Sequence, residues 1–189
     1  RTICLDAGHG GKDPGYQVGS REEKDYTLQL AREVREQLRR AGFDVVMTRS
    51  ADVFVERTER AAIARRRGAQ LFVSLHFNAF PPSPAVNGLE VYCCTPAGAT
   101  SSNAGGEGST RWVTGNGNGA KNMLLAYQLQ RSLTRSWSMA DRGVKRARFD
   151  VLAAATMPAV LIEGGYMSNP AEGKRIFDPE YRARMATAI

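Results

Sequence analysis

The sequence predicts a single α/β domain, a mainly parallel twisted sheet of about six strands with helices on both faces. Two observations predict it. Short apolar runs alternate along the chain with longer segments of helical period, the order expected of strand-helix-strand units. The 189 residues are also 42% hydrophobic, enough for one sizeable core without disulfide or oligomer support, and neither a repeat nor a second core divides them.

Residues 2–7 read as a buried strand, and residues 23–40 as an amphipathic helix stopped by Gly42. Residues 44–48 form the next strand. A second helix covers 55–67 and ends at Gly68, and a third strand covers 70–76. Residues 89–94 read as a strand, 123–137 as a helix, and 158–163 as a strand of small and β-branched residues. Asn169-Pro170 and Asp178-Pro179 each set a cap residue before a proline at the first helical position, announcing two late helices. Between the strand at 89–94 and the helix at 123–137, residues 97–120 are rich in Gly, Ser, Thr and Asn and poor in apolar side chains, so a mobile surface loop is expected there.

The chain has 26 basic and 19 acidic residues, a formal charge of +7, which favours an anionic partner such as nucleic acid, a membrane surface or the cell wall. No Lys/Arg run is interleaved with aromatics as in a base-stacking platform, so nucleic acid is disfavoured. Three cysteines, Cys4, Cys93 and Cys94, cannot all pair, and strand neighbours face opposite ways, so they read as core thiols. There is no stretch of 18 apolar residues, and the chain opens on Arg1 inside an apolar run. A processed or excised domain is expected, with its export signal outside this segment.

Only two histidines occur, His9 and His76, and each falls where a predicted strand runs out into a loop. In open α/β sheets ligands gather at the carboxyl ends of the strands. Glu163 closes the apolar run 159–162 in the same way. Glycines around His9, in Asp6-Ala7-Gly8-His9-Gly10-Gly11, predict a sharp turn that leaves the imidazole accessible. A phosphate loop is excluded, since there is neither GxGxxG nor a following Lys-Ser/Thr. Two imidazoles and a carboxylate, with a fourth position for water, make a catalytic zinc site. The chemistry needs a second acid as general base, so Glu163 and one of Glu22 and Glu23 are the candidates.

These residues resemble the zinc-dependent N-acetylmuramoyl-L-alanine amidases of cell separation, sporulation and phage lysis. The resemblance rests on segments spread over nearly the whole chain. They are Leu5-Asp6-Ala7-Gly8-His9-Gly10-Gly11, Glu23-Lys24-Asp25, Thr48-Arg49, Ser74-Leu75-His76-Phe77-Asn78-Ala79, Asp141-Arg142-Gly143-Val144-Lys145, and Met157 to Glu163 running into Ser168-Asn169-Pro170. The resemblance implies that His9, Glu23 and His76 bind one Zn2+ per chain and that Glu163 is the catalytic acid/base. It places Arg49 and Asn78 near the site, either as substrate contacts or as a packing ion pair and a loop cap. It implies cleavage of the N-acetylmuramic acid to L-alanine amide in peptidoglycan, outside the cytoplasm, by a monomer whose activator or wall-binding parts lie elsewhere. Alternatives are a zinc carboxypeptidase or deacetylase of the cell wall, or a non-catalytic peptidoglycan-binding module.

Two departures from the family pattern stand out. Gly164-Gly165-Tyr166 follows Glu163 where Leu and Phe are expected, and the polar loop stands where some relatives carry a plugging helix. An open site is expected, because a glycine-rich segment makes a poor helix. Helical period also chooses Glu23 over Glu22. Glu23 projects with Thr27, Leu30, Val34, Leu38 and Ala41 on the apolar face, whereas Glu22 falls with Gln29, Glu33, Glu36 and Arg40.

Overall fold

The computed structural model of the chain describes residues 1–103, 108–136 and 139–189. In chain order the elements are β1 (Thr2–Ala7), β2 (Gln17–Val18), β3 (Arg21–Glu22), α1 (Glu23–Arg40), β4 (Asp44–Met47), α2 (Arg57–Arg66), β5 (Leu71–Asn78), β6 (Leu89–Cys94), a 3-10 turn (Thr114–Asn118), α3 (Gly119–Ser136), β7 (Asp141–Ala147), α4 (Asp150–Ala153), β8 (Ala159–Tyr166), α5 (Pro170–Ile176) and α6 (Pro179–Ala188). Six strands form one sheet in the order β4-β1-β5-β8-β6-β7. β4, β1, β5 and β8 run parallel, β6 is antiparallel to β8, and β7 runs parallel to β6.

Alternation along the strands divides the core in two. One face presents Leu5, Val73, Leu75, Val91 and Ile162 to α1, α3 and α6, through Leu30, Val34, Leu129, Leu133 and Met185. The other presents Cys4, Phe72, Tyr92, Cys94 and Leu161 to Ala64 of α2 and to Val151 and Leu152 of α4. On this second face the parallel strands β1, β5 and β8 turn polar toward their carboxyl ends, with Asp6 on β1, Ser74 and His76 on β5 and Glu163 on β8. The short helices α2 and α4 cover the apolar half, and a cleft lies over the polar half.

Several boundaries differ from expectation. β5 and β8 run on past His76 and Glu163, to Asn78 and Tyr166, because strand pairing continues beyond the apolar run. A register shift between His76 and Asn78 breaks the ladder there, a bulge beside the site. The expected loop over 97–120 ends in the 3-10 turn and the start of α3. Asn116 supports that turn: its Oδ1 accepts from the Val113 N–H at 3.0 Å and its Nδ2 donates to the Thr95 carbonyl at 2.8 Å. Residues 104–107 of that loop, and Trp137 at the expected helix end, lie outside the described residues. β7, α4 and the β2–β3 hairpin had no apolar period to announce them. Both late helices begin as expected, Asn169 accepting from the Ala171 and Glu172 N–H groups and Asp178 from that of Glu180. The three cysteines are free and buried.

Candidate metal centre

β1 runs out through Gly8, His9, Gly10 and Gly11, and His9 adopts φ +62°, the only non-glycine residue among those described in the left-handed region. Such a conformation costs roughly 1–3 kcal/mol and persists only where neighbouring contacts impose it. His9 Nδ1 lies 2.9 Å from Asp13 Oδ2, and its Nε2 lies 3.1 Å from Glu23 Oε1.

Glu23 opens α1 and is only 4% exposed. Its Oε1 also lies 3.2 Å from His76 Nδ1 and accepts from the Phe77 N–H at 3.1 Å, while Oε2 accepts from the Tyr16 N–H at 3.0 Å. Burial by itself would raise the carboxyl pKa, but the hydrogen bonds and charges of His76 and His9 bring it far below the usual carboxylate range. Burial likewise works against charge on His9, and its bonds to Glu23 and Asp13 overcome that, leaving its pKa raised.

The donor set fits a divalent cation. One oxygen and one nitrogen from each imidazole, supplied by three separate elements, lie within 4.8 Å of one another, as in a zinc site with three protein ligands. The carboxylate of Asp13 behind His9 is the outer partner that such a ligand normally has. Glycine makes the room: a Cβ on Gly8 would stand 2.3 Å from His76 Cε1, and one on Gly15 would stand 2.6 Å from Glu23 Oε2.

Glu163 is paired in register with His76 on one side and with Glu90 on the other. Its Oε2 is buried without a hydrogen-bond partner among the described residues. Burial first, then the charges of Glu23 and Glu90, raise its pKa well above the usual carboxylate value. The cleft in front measures about 830 Å³ and is lined by His9, Asp13, Phe54, His76, Phe149 and Glu163, among others.

The fold thus brings His9, Glu23 and His76 together with Glu163 beside them. Arg49 and Asn78 are used within the protein. Arg49 is 3% exposed and donates to the Ala7, Gly8, Lys24 and Ala51 carbonyls and to Thr27 Oγ1. Asn78 Nδ2 donates to Glu90 Oε1 at 2.8 Å, and its Oδ1 caps the Ala79 N–H at 2.8 Å. Sequence reasoning missed Asp13, whose signal is its place four residues after His9. It also missed Asp6 and Arg60, an ion pair at 2.9 Å buried beneath the site, which no short-range pattern marks.

The profile of the N-acetylmuramoyl-L-alanine amidase family matches residues 3–189. The chain is 36% identical over 212 aligned residues to the N-acetylmuramoyl-L-alanine amidase AmiC of Neisseria meningitidis serogroup B, covering all of this chain and 50% of that protein. It is 33% identical to the amidase AmiA of Escherichia coli, covering all of this chain and 73% of AmiA. Among solved structures, the amidase AmiC2 of Nostoc punctiforme superposes with a TM-score of 0.82 at 35% identity, over all of this chain and 92% of that one.

Proposed function

This chain belongs to the N-acetylmuramoyl-L-alanine amidase family, and from that premise we propose that its cleft hydrolyses the amide between N-acetylmuramic acid and L-alanine of peptidoglycan, using zinc held by His9, Glu23 and His76. The observation that carries the metal reading is the meeting of Glu23 Oε1 with His9 Nε2 at 3.1 Å and with His76 Nδ1 at 3.2 Å. Three donors from a turn, a helix start and a mid-sheet strand do not converge for packing alone, since burying a carboxylate needs compensation.

When bound, zinc supplies Lewis acidity that polarises the amide carbonyl and acidifies water. Asp13 accepts a hydrogen bond from His9 Nδ1, which leaves Nε2 as the donor toward the centre. Glu163 Oε2 takes a proton from the attacking water and delivers it to the alanine nitrogen as the C–N bond breaks. The raised pKa of Glu163 favours its protonated form, the form that delivers the proton to the departing nitrogen. Arg49 and Asn78 act from behind the site, by holding its backbone and Glu90.

The domain works outside the cytoplasm on the wall, as a monomer, and no described residue of 97–120 lines the cleft. Wall-binding or activating parts belong to other segments, in keeping with a Neisseria relative of which this chain covers 50%. No helix among the described residues is long and apolar enough to cross a membrane.

The test is turnover of purified peptidoglycan before and after chelation. Chelation is expected to abolish release of stem peptide from intact glycan, and zinc to restore it. Full activity in a preparation shown to be metal-free would sink the zinc mechanism. Release of a terminal amino acid or acetate in place of stem peptide would sink the bond assignment.

A further inference from the structure

The turn that carries His9 is glycine-rich and left-handed, a segment with much freedom to lose, and something must hold it in one shape. Three consecutive carbonyls of this turn are caught by two buried guanidinium groups. Arg49 donates from Nε to the Ala7 carbonyl at 2.9 Å and from Nη2 to the Gly8 carbonyl at 2.9 Å. Arg60 donates from Nη1 to the Ala7 carbonyl and from Nη2 to the His9 carbonyl, both at 2.8 Å. Arg60 is itself fixed, by Asp6 Oδ1 at 2.9 Å and by the Val55 carbonyl at 3.0 Å. Asp6 is fully buried and accepts in turn from Thr48 Oγ1 at 2.6 Å and Ser74 Oγ at 2.7 Å.

The network reaches the supports of all three candidate ligands. It grips His9 through its own carbonyl, Glu23 through the Lys24 carbonyl in the first turn of α1, and His76 through Ser74 two residues before it on β5. A planar guanidinium with donors in fixed directions can hold several carbonyls at once, which a lysine ammonium on a flexible stem cannot reproduce. We infer that Arg60, anchored by Asp6, is a positioning residue that sets the His9 turn, and with it the donor cluster, before any metal arrives. The inference rests on the proposed zinc site and adds to it a residue at the floor of the cleft that acts through the backbone of the His9 turn. Ligand sets held to within about 0.5 Å owe that precision to such supports.

The experiment is zinc titration of the full chain against a competing chelator, with the cobalt(II) absorption spectrum as a second reading. Arg60→Lys keeps a charge on Asp6 but loses the fork, and it is expected to weaken zinc by roughly 10- to 100-fold and alter the cobalt spectrum. Phe72→Leu, a core change on the same face, serves as the control: it should lower the melting temperature and leave both metal readings unchanged. Wild-type zinc affinity and an unaltered spectrum in folded Arg60→Lys would overturn the inference. If Arg60→Lys does not fold, Thr48→Val removes one bond from Asp6 and none from the turn. Several-fold weaker zinc in that variant supports the inference, and unchanged affinity overturns it. Failure of the wild-type chain to bind zinc would instead overturn the site reading on which the inference rests.

Discussion

His76 and Glu163 are direct register partners on the parallel strands β5 and β8. Partners across a parallel ladder project to the same side of the sheet, so an imidazole and a carboxylate stand together over the cleft. On the proposed mechanism, that pairing sets a ligand beside a proton carrier within one short row. Glu163→Gln keeps the shape of the side chain and removes its ability to carry a proton. Turnover is expected to fall by roughly two to four orders of magnitude while zinc content stays normal. Loss of zinc in this variant would make Glu163 a ligand, and near-normal turnover would move the acid/base role to another group.

Neighbouring acids at the start of α1 have opposite surroundings. Glu23 is buried against both imidazoles, whereas Glu22 bonds Gln17 Nε2 at 2.7 Å and pairs with Lys24 at 3.1 Å near the surface. Glu23→Ala should abolish most zinc affinity, and Glu22→Ala should leave metal and activity within about twofold, since exposed pairs contribute little. Metal analysis of the two purified variants decides between them, and the reverse pattern would invalidate the site geometry.

Gly8 is needed for space. Its backbone is outside the left-handed region, so alanine brings no conformational strain, yet the added Cβ would overlap the His76 ring at 2.3 Å. Gly8→Ala is expected to fold, to bind zinc at least tenfold more weakly in chelator competition, and to lose turnover in proportion. Normal zinc affinity would mean that His76 can sit elsewhere and still serve.

Phe72 is fully buried under α2 and α4, among Cys4, Tyr92 and Leu161. Phe72→Ala should destabilise the chain by about 3–5 kcal/mol in urea denaturation, through lost transfer energy and the cavity left behind. A loss under 1 kcal/mol would show that the second core layer is far looser than its burial indicates.

All three thiols are buried, and burial raises their pKa values, that of Cys4 to about 12. Thiolate is the reactive form, so iodoacetamide at pH 8 should leave the folded chain unlabelled and modify three cysteines once it is unfolded. Rapid labelling of the native chain, read by mass spectrometry, would contradict the core assignment.

Much of this organisation is local and was therefore legible in sequence. Apolar runs announced β1, β4, β5, β6 and β8; the four inner strands are covered on both faces and so nearly continuous in apolar residues, and the edge strand β4 keeps a short run of its own. Helical period put Glu23 on the buried face of α1, and Asn169-Pro170 and Asp178-Pro179 marked helix starts, since a cap acts within one turn. β7 escaped notice because Asp141–Ala147 is a charged edge strand, half solvated and without an apolar period. Tertiary structure alone decided what supports the site. Asp6 meets Arg60 across 54 positions of sequence, and three of the four carbonyls that Arg49 holds lie 25 to 42 positions away. No residue period carries such distances, and the guanidinium left open in one dimension between substrate contact and packing is, in the folded chain, a clamp on the turn that presents His9.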